Sequence, residues 1–328
     1  MSINYQSVRH PHGPKVVALG GGTGLSTLLR GLKKYTDNIT AIVTVTDTGG
    51  SSGRLRLELG MLPPGDIRNC LVALADTEPL MERLFQYRFT SGNGLAGHNF
   101  GNLFLATMCE VVGDFEQAIK ETSRVLKVRG QVLPATLTNA TLVAQYTDGT
   151  WARGETNIVR PKATIARLSL DPPDCQPVPD ALMAIAEADI VVLGPGSLYT
   201  SVLPNLLVQG LPAAIAASSA VKVYVVNVMT QPGETDAYTA ADHVRAVLEH
   251  AGQQIIDWVI VNNEYPTGNI LARYREEGAE PVLVERNEFE SLGIRIKEAP
   301  LLAVNDVARH DPDKLAQAVL ELTAEAGR

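Results

Sequence analysis

Short apolar runs rich in valine and isoleucine recur along the chain: KVVAL (15–19), ITAIVTVT (39–46), ADIVVLG (188–194), KVYVVNVM (222–229), DWVIVNN (257–263) and EPVLVE (280–285). Each is apolar at consecutive positions, not alternate ones, and stretches of helical apolar spacing separate them. Strands covered on both faces by crossover helices carry this pattern. It predicts an α/β fold with a doubly wound, mostly parallel, Rossmann-like sheet in a three-layer arrangement.

Between 71 and 126 the period changes. LVALADTEPLMERLFQYRF and GNLFLATMCEVVGDFEQAIKETSRVL place apolar residues at helical spacing with no strand among them, which predicts an inserted helical segment. The following LPATLTNATLVAQYTDGTWARGETNI is rich in Thr and Val around an Asp148-Gly149 turn, and reads as a hairpin or small antiparallel sheet capping the main layer. The expected organisation is one α/β domain over 15–328, with an insertion at about 71–165 and a polar leader at 1–14. The proline-dense LDPPDCQPVPD reads as a surface connection.

A formal charge of -8 and a pI near 5.3 argue against a nucleic-acid or membrane-surface protein, because phosphate polymers are gripped by clustered Lys and Arg. Any basic site must be local. Cys70, Cys109 and Cys175 lie far apart without CxxC spacing, so no disulfide framework or zinc knuckle is indicated. The opening MSINYQSVRHPHGP lacks a signal-peptide core, and no run approaches the roughly 20 apolar residues that cross a bilayer. A soluble, cytoplasmic protein is expected.

Candidate chemistry begins where the first strand meets GGGTG. Gly20, Gly22 and Gly24 lack G-x-G-x-x-G spacing, and no Walker lysine follows, so a P-loop is disfavoured. Two readings stay open for Gly21, Gly22, Thr23 and Gly24: a phosphate-binding helix start, or a tight strand-to-helix turn without a ligand. The second strand runs into TDTGGSSGRLRLELGMLPPGDIRN. Asp47 stands at a strand's carboxyl end, where open α/β sheets hold ligands. Gly49, Gly50, Ser51, Ser52 and Gly53 offer N–H and hydroxyl donors, Arg54 and Arg56 follow, and Asp66, Arg68 and Asn69 open a second helix. In GLAGHNFGNLFLA, His98, Asn99 and Asn102 stand at a helix start, suited to a ligand or to a structural role.

ADIVVLGPGSLYTSVLPNLLV repeats the first motif, with Gly194, Gly196 and Ser197 at a turn; Ser197 reads as a phosphate donor or as an N-cap. Two glycine turns at central strand ends mark a topological switch point. NVMTQPGETDAYTAADHV adds Asn227, Thr230, Gln231, Glu234, Thr235 and Asp236. Glu234 and Asp236 fit a metal, although Thr235 or Asp236 as a cap of the next helix is the cheaper explanation. HExxH, Gly-x-Ser-x-Gly and a Cys-His signature are all missing, so hydrolase chemistry has no support. A nicotinamide-dinucleotide reading of Asp47 is weakened by the broken fingerprint.

Together VVALGGGTGLSTLLRGL, TDTGGSSGRLR, PPGDIRNCLVALA, GHNFGNLFLA, ADIVVLGPGSLYTSVLPNLLV and NVMTQPGETDAYTAADHV resemble the bacterial gluconeogenesis-factor family (YvcK-like), itself related to the 2-phospho-L-lactate transferases (CofD-like) of deazaflavin coenzyme synthesis. The resemblance implies two different activities. The transferase branch binds a guanosine nucleotide and a deazaflavin, uses a divalent metal such as Mg²⁺, and moves a phospholactyl group onto a ribityl hydroxyl; in that case Asp47 is the catalytic candidate. The gluconeogenesis-factor branch implies a UDP-sugar, typically UDP-N-acetylglucosamine, together with roles in cell shape and peptidoglycan homeostasis. It also implies a protein partner in envelope synthesis or metabolism and room for a homo-oligomer. GGSSGRLR, PPGDIRN and MTQPGETD match the second branch. One departure is that many relatives carry paired Asp before Gly-Gly, whereas Thr48 follows Asp47 here. The same likeness points to Tyr274 for stacking on a uracil and Arg309 for a diphosphate, residues that also fit a helix face with solvated charges.

Overall fold

The computed structural model of the protein describes residues 13–77, 79–159, 164–304 and 307–326, so most of the expected leader lies outside the described residues. In chain order the strands are β1 (Val16–Gly20), β2 (Ile39–Val43), β3 (Gln131–Pro134), β4 (Thr141–Tyr146), β5 (Trp151–Arg153), β6 (Ile165–Asp171), β7 (Ile190–Leu193), β8 (Val221–Val225), β9 (Trp258–Asn262), β10 (Arg295–Ala299), β11 (Leu302–Val304) and β12 (Ala308–His310). Seven of them form a parallel sheet in the order β10-β9-β8-β7-β1-β2-β3. From β1 the chain winds outward through β2 to β3, then restarts at β7 on the other side of β1. The order therefore reverses between β1 and β7, and a crevice opens at their carboxyl ends.

Burial of β1 on both faces explains its uninterrupted apolar run. Val17 and Leu19 join one core with Ile42, Val191 and Leu193, while Val16 and Ala18 join the opposite core with Ala41, Val43, Ile190 and Val192. Alternate side chains of a strand point to opposite faces, so a doubly covered strand must be apolar throughout.

Helices Gly65–Leu74, Pro79–Gln86, Phe100–Val112 and Phe115–Val125 fill the predicted helical stretch. The antiparallel sheet β5-β4-β6 follows, with β4 and β5 joined around the Asp148-Gly149 turn.

Two strand expectations need correction. Leu133 and Pro134, at the start of the expected antiparallel cap, instead end β3, which pairs in parallel with β2. An edge position tolerates its proline, which has no N–H for a further neighbour. EPVLVE is not a sheet strand: it runs beside the segment after β8, with Val282 N–H donating to the Val228 carbonyl at 3.1 Å and Thr230 N–H to Glu280 at 2.8 Å. The sheet edge is instead β10, RIKEA, whose half-exposed polar side chains concealed it. No single helix among the described residues is long and apolar enough to cross a membrane.

Candidate functional site

A cleft of about 440 Å³ opens across the carboxyl ends of β8, β7, β1 and β2. The end of β1 gives it Gly21, Gly22, Thr23 and Gly24, and Thr27 follows one helical turn later. Pro195, Gly196 and Ser197 come from the end of β7, with Thr200 and Ser201 from a π-helical turn, Leu198–Val202. The segment after β8 supplies Asn227, Val228, Met229, Thr230 and Gln231. Asp47 comes from the end of β2, Asp66 from the first turn of Gly65–Leu74 and Glu155 from the short helix Glu155–Ile158. Tyr274, from Gly268–Glu276, and Ala308, Arg309 and His310, from β12, close the far wall.

The two glycine turns touch. A Cβ on Gly24 would stand 2.5 Å from the Pro195 carbonyl oxygen and 2.8 Å from the Gly196 Cα, and one on Gly21 would stand 2.5 Å from the Asp66 carboxylate. Backbone and carboxylate thus occupy the space that larger residues would need. Gly196 N–H donates to Asn227 Oδ1 at 3.2 Å, and Gln231 Nε2 donates to Ser197 Oγ at 2.9 Å. Ser197 makes no side-chain cap. Buried Glu234 takes that role: its carboxylate accepts from Tyr199 N–H at 3.2 Å and from Thr200 Oγ1 at 3.1 Å. Thr235 and Asp236 do not cap the next helix either. Thr239 does, in a capping box with Asp242.

At the β2 end, acids converge. Asp47 Oδ1 accepts from Gly49 N–H at 2.7 Å. Burial and then the neighbouring Asp47 push the Asp66 carboxyl up to about 6, against hydrogen bonds from Gly22 N–H and Asn69. Glu155 goes further, to about 9, through burial and then Asp47, Asp66 and Glu234. Charge crowded into a partly dry pocket is relieved by holding protons.

The remaining predicted residues stand behind this corner, outside the cleft lining. Gly50, Ser51, Ser52 and Gly53 begin the helix Gly50–Leu59, whose first turn meets the start of Phe100–Val112. Ser51 Oγ lies 3.0 Å from His98 Nδ1, Asn102 Nδ2 donates to Ser52 Oγ at 3.4 Å, and Asn99 caps its helix by accepting from Asn102 N–H. Arg54 donates to the Ala96 and Gly94 carbonyls at 2.8 and 2.9 Å, and Arg56 to the Ala140 carbonyl at 2.7 Å. Arg68 donates to Asn69 Oδ1 at 2.6 Å. Gly49 and Gly194 belong to the turns, behind the lining. Arg54 is thus engaged with backbone, while Arg56 Nη1 and Arg68 Nε are buried without a hydrogen-bond partner among the described residues, and the charges of both reach Asp47.

Beside Arg309 and His310, part of the far wall is apolar. Val228, Met229 and Ala308 pack with Leu271, Tyr274 and Leu302. The Tyr274 hydroxyl accepts from Ala308 N–H at 3.1 Å and donates to the Ala308 carbonyl at 3.4 Å, fastening β12 to the cleft. Tyr274→Phe is expected to lower stability by about 1 kcal/mol, the usual net value of a lost hydrogen bond, and to loosen this wall. Denaturant titration checks the first effect and ligand titration the second. Burial pushes His310 down to about 4, so its ring is neutral near pH 7.

Thr27, Glu155, Pro195, Thr200, Ser201, Val228, Met229, Ala308 and His310 line the cleft without having been predicted as site residues. Glu155 is brought in by the antiparallel sheet, a long-range placement with no local signal. Pro195 and Thr200 sit inside a quoted motif and were readable from it.

This architecture defines a parallel α/β protein with a ligand cleft at the switch point of its sheet. The sequence profile of the family described as 2-phospho-L-lactate transferase CofD matches residues 16–302. The chain is 53% identical over 307 residues to the gluconeogenesis factor of Halalkalibacterium halodurans, covering 93% of this chain and 95% of that protein. To the gluconeogenesis factor of Bacillus subtilis it is 50% identical over 313 residues, covering 95% and 99%. A crystal structure of a UPF0052 family member from Bacillus halodurans superposes with a TM-score of 0.91 at 51% identity, covering 94% of this chain and 99% of that one. The chain belongs to the CofD family, in its gluconeogenesis-factor branch.

Proposed function

We propose that the chain is a cytoplasmic nucleotide-sugar-binding regulatory protein. Its ligand is a UDP-sugar, UDP-N-acetylglucosamine in particular, and its role is in cell shape and peptidoglycan homeostasis during gluconeogenic growth. The observation that carries the reading is the zoning of a single cleft. An apolar wall with the Tyr274 ring at the β8 end suits a pyrimidine base, and the glycine turns with Arg309 suit a diphosphate. Carboxyl groups at the β2 end suit the hydroxyls of a sugar. The relatives' name, gluconeogenesis factor, supports the metabolic half of the reading. A protein partner of envelope synthesis or central metabolism then reads the occupied state. Calorimetry with UDP-N-acetylglucosamine is expected to show saturable one-site binding, weakened tenfold or more by Arg309→Ala; no heat with any UDP-sugar overturns the reading.

The acid corner favours a second reading, a transferase acting on an acceptor hydroxyl near Asp47. Among the described residues no three His, Cys, Asp or Glu side chains are grouped to share one ion. Mg²⁺ needs only one or two carboxylates beside substrate phosphates, and Asp47 and Asp66 fit that demand. The ion would neutralise charge on the diphosphate. This reading requires product from the guanylated phospholactate donor and a deazaflavin, with turnover lost in Asp47→Asn.

A further inference from the structure

Donors and acceptors at the β7 turn are set by a chain of hydrogen bonds that starts at the backbone. Gly196 N–H lies 3.2 Å from the Asn227 side chain, and because an N–H can only donate, the amide atom facing it is the oxygen, Oδ1. That orients the next amide. Asn227 Nδ2, a donor, stands 3.3 Å from Gln231, which must therefore present Oε1 to it. Gln231 is left with Nε2, 2.9 Å from Ser197 Oγ, so the serine oxygen accepts.

Ser197 thereby keeps its own proton. A hydroxyl has one, and no acceptor among the described residues takes it. The residue is half-buried and lines the cleft beside the glycine turns. Gln231 is itself held in place, since its N–H donates to Thr235 Oγ1 at 2.9 Å and its carbonyl accepts from the N–H groups of Thr235 at 2.9 Å and Glu234 at 3.0 Å. Thr235 is fully buried. The chain is anchored at one end in the backbone of the β7 turn and at the other beside this threonine.

We propose, building on the nucleotide-sugar reading above, that Asn227 and Gln231 are positioning residues that commit the Ser197 hydroxyl to donating to a diphosphate oxygen. An ionised phosphate oxygen only accepts, so a serine whose proton was already spent would turn lone pairs on it. What the two amides supply is polarity.

Calorimetry with UDP-N-acetylglucosamine and with UDP in metal-free buffer tests this in variants shown to be folded by cooperative unfolding. Ser197→Ala is expected to weaken both ligands about tenfold or more, the usual effect of losing a hydrogen bond to a charged group. Gln231→Glu keeps the shape of the side chain and its bond from Asn227, but faces Ser197 with an acceptor in place of a donor. It is expected to cost about twentyfold with Ser197 present, and less than about fivefold on top of Ser197→Ala, the remainder being the added charge. Asn227→Asp reverses the chain without touching Ser197: the new carboxylate still accepts from Gly196 N–H, so Gln231 turns Nε2 to it and Oε1 to the serine. The same dependence on Ser197 is expected. Should one of these two variants not fold, the other decides. Equal costs with and without Ser197, an unchanged affinity in Ser197→Ala, or a loss confined to the sugar-bearing ligand overturns the proposal and leaves the nucleotide-sugar reading standing. No binding of either compound to the wild type overturns both.

Discussion

Alanine at position 24 is expected to lower stability by about 2 kcal/mol, within the usual range for overpacking, and to weaken nucleotide-sugar binding at least tenfold. Gly24 lies in the first turn of the helix Gly22–Leu32, against the turn that ends β7. Its added methyl would meet only backbone: the Pro195 oxygen at 2.5 Å, the Pro195 carbonyl carbon at 2.7 Å and the Gly196 Cα at 2.8 Å. That turn has little freedom to retreat, since Gly194 N–H donates to the Leu19 carbonyl at 2.8 Å and Gly196 N–H is held by Asn227. The methyl group must therefore push the β1 and β7 turns apart, and these are the two walls to which the nucleotide-sugar proposal assigns the diphosphate. Urea denaturation and calorimetry with UDP-N-acetylglucosamine check the two effects. Wild-type values in both would show that the contact between the turns carries neither stability nor binding.

This close approach also explains how much the sequence revealed. β1, β2, β7, β8 and β9 were legible because burial on both faces demands unbroken apolar runs, and the glycines after β1 and β7 because backbone had to come close. β10 was hidden: an edge strand half open to solvent can be RIKEA. EPVLVE misled for the opposite reason, since its apolar residues pack beside the segment after β8 without joining the sheet. At the site, Asp47, Asp66 and the glycine turns were found through their place at strand and helix ends. Ser51 and Ser52 in one motif and His98 and Asn102 in another read as separate ligand candidates, and the sequence did not reveal that they bond to one another across two helix starts. Glu155 left no trace, because only the folding of the antiparallel sheet over the cleft brings it to Asp47.

Glu155→Gln is expected to make the protein more stable than wild type above pH 6, by about 1–3 kcal/mol at pH 8. The folded-state value of Glu155, about 9, lies above its ordinary 4.5, so between these limits the native chain holds a proton that the unfolded chain has released. Stability therefore falls as pH rises through this window, by at most about 1.4 kcal/mol per unit for one group, less where the pocket relaxes. Asp66, raised to about 6, adds to the fall between 3.8 and 6. His310 acts in the other direction. Its folded value of about 4 lies below the ordinary 6.5, so the unfolded chain binds the extra proton and stability falls as pH drops through that range. Buried His243 and His250, also pushed down by burial, add to this acid-side loss. Opposed slopes place the wild-type maximum on the slightly acidic side of neutrality, and the amide variant moves it upward by deleting one of them. Urea titrations of both proteins from pH 5 to 8.5 in metal-free buffer measure the difference. Parallel profiles would mean that Glu155 ionises freely in the folded chain and that the acid corner is open to water.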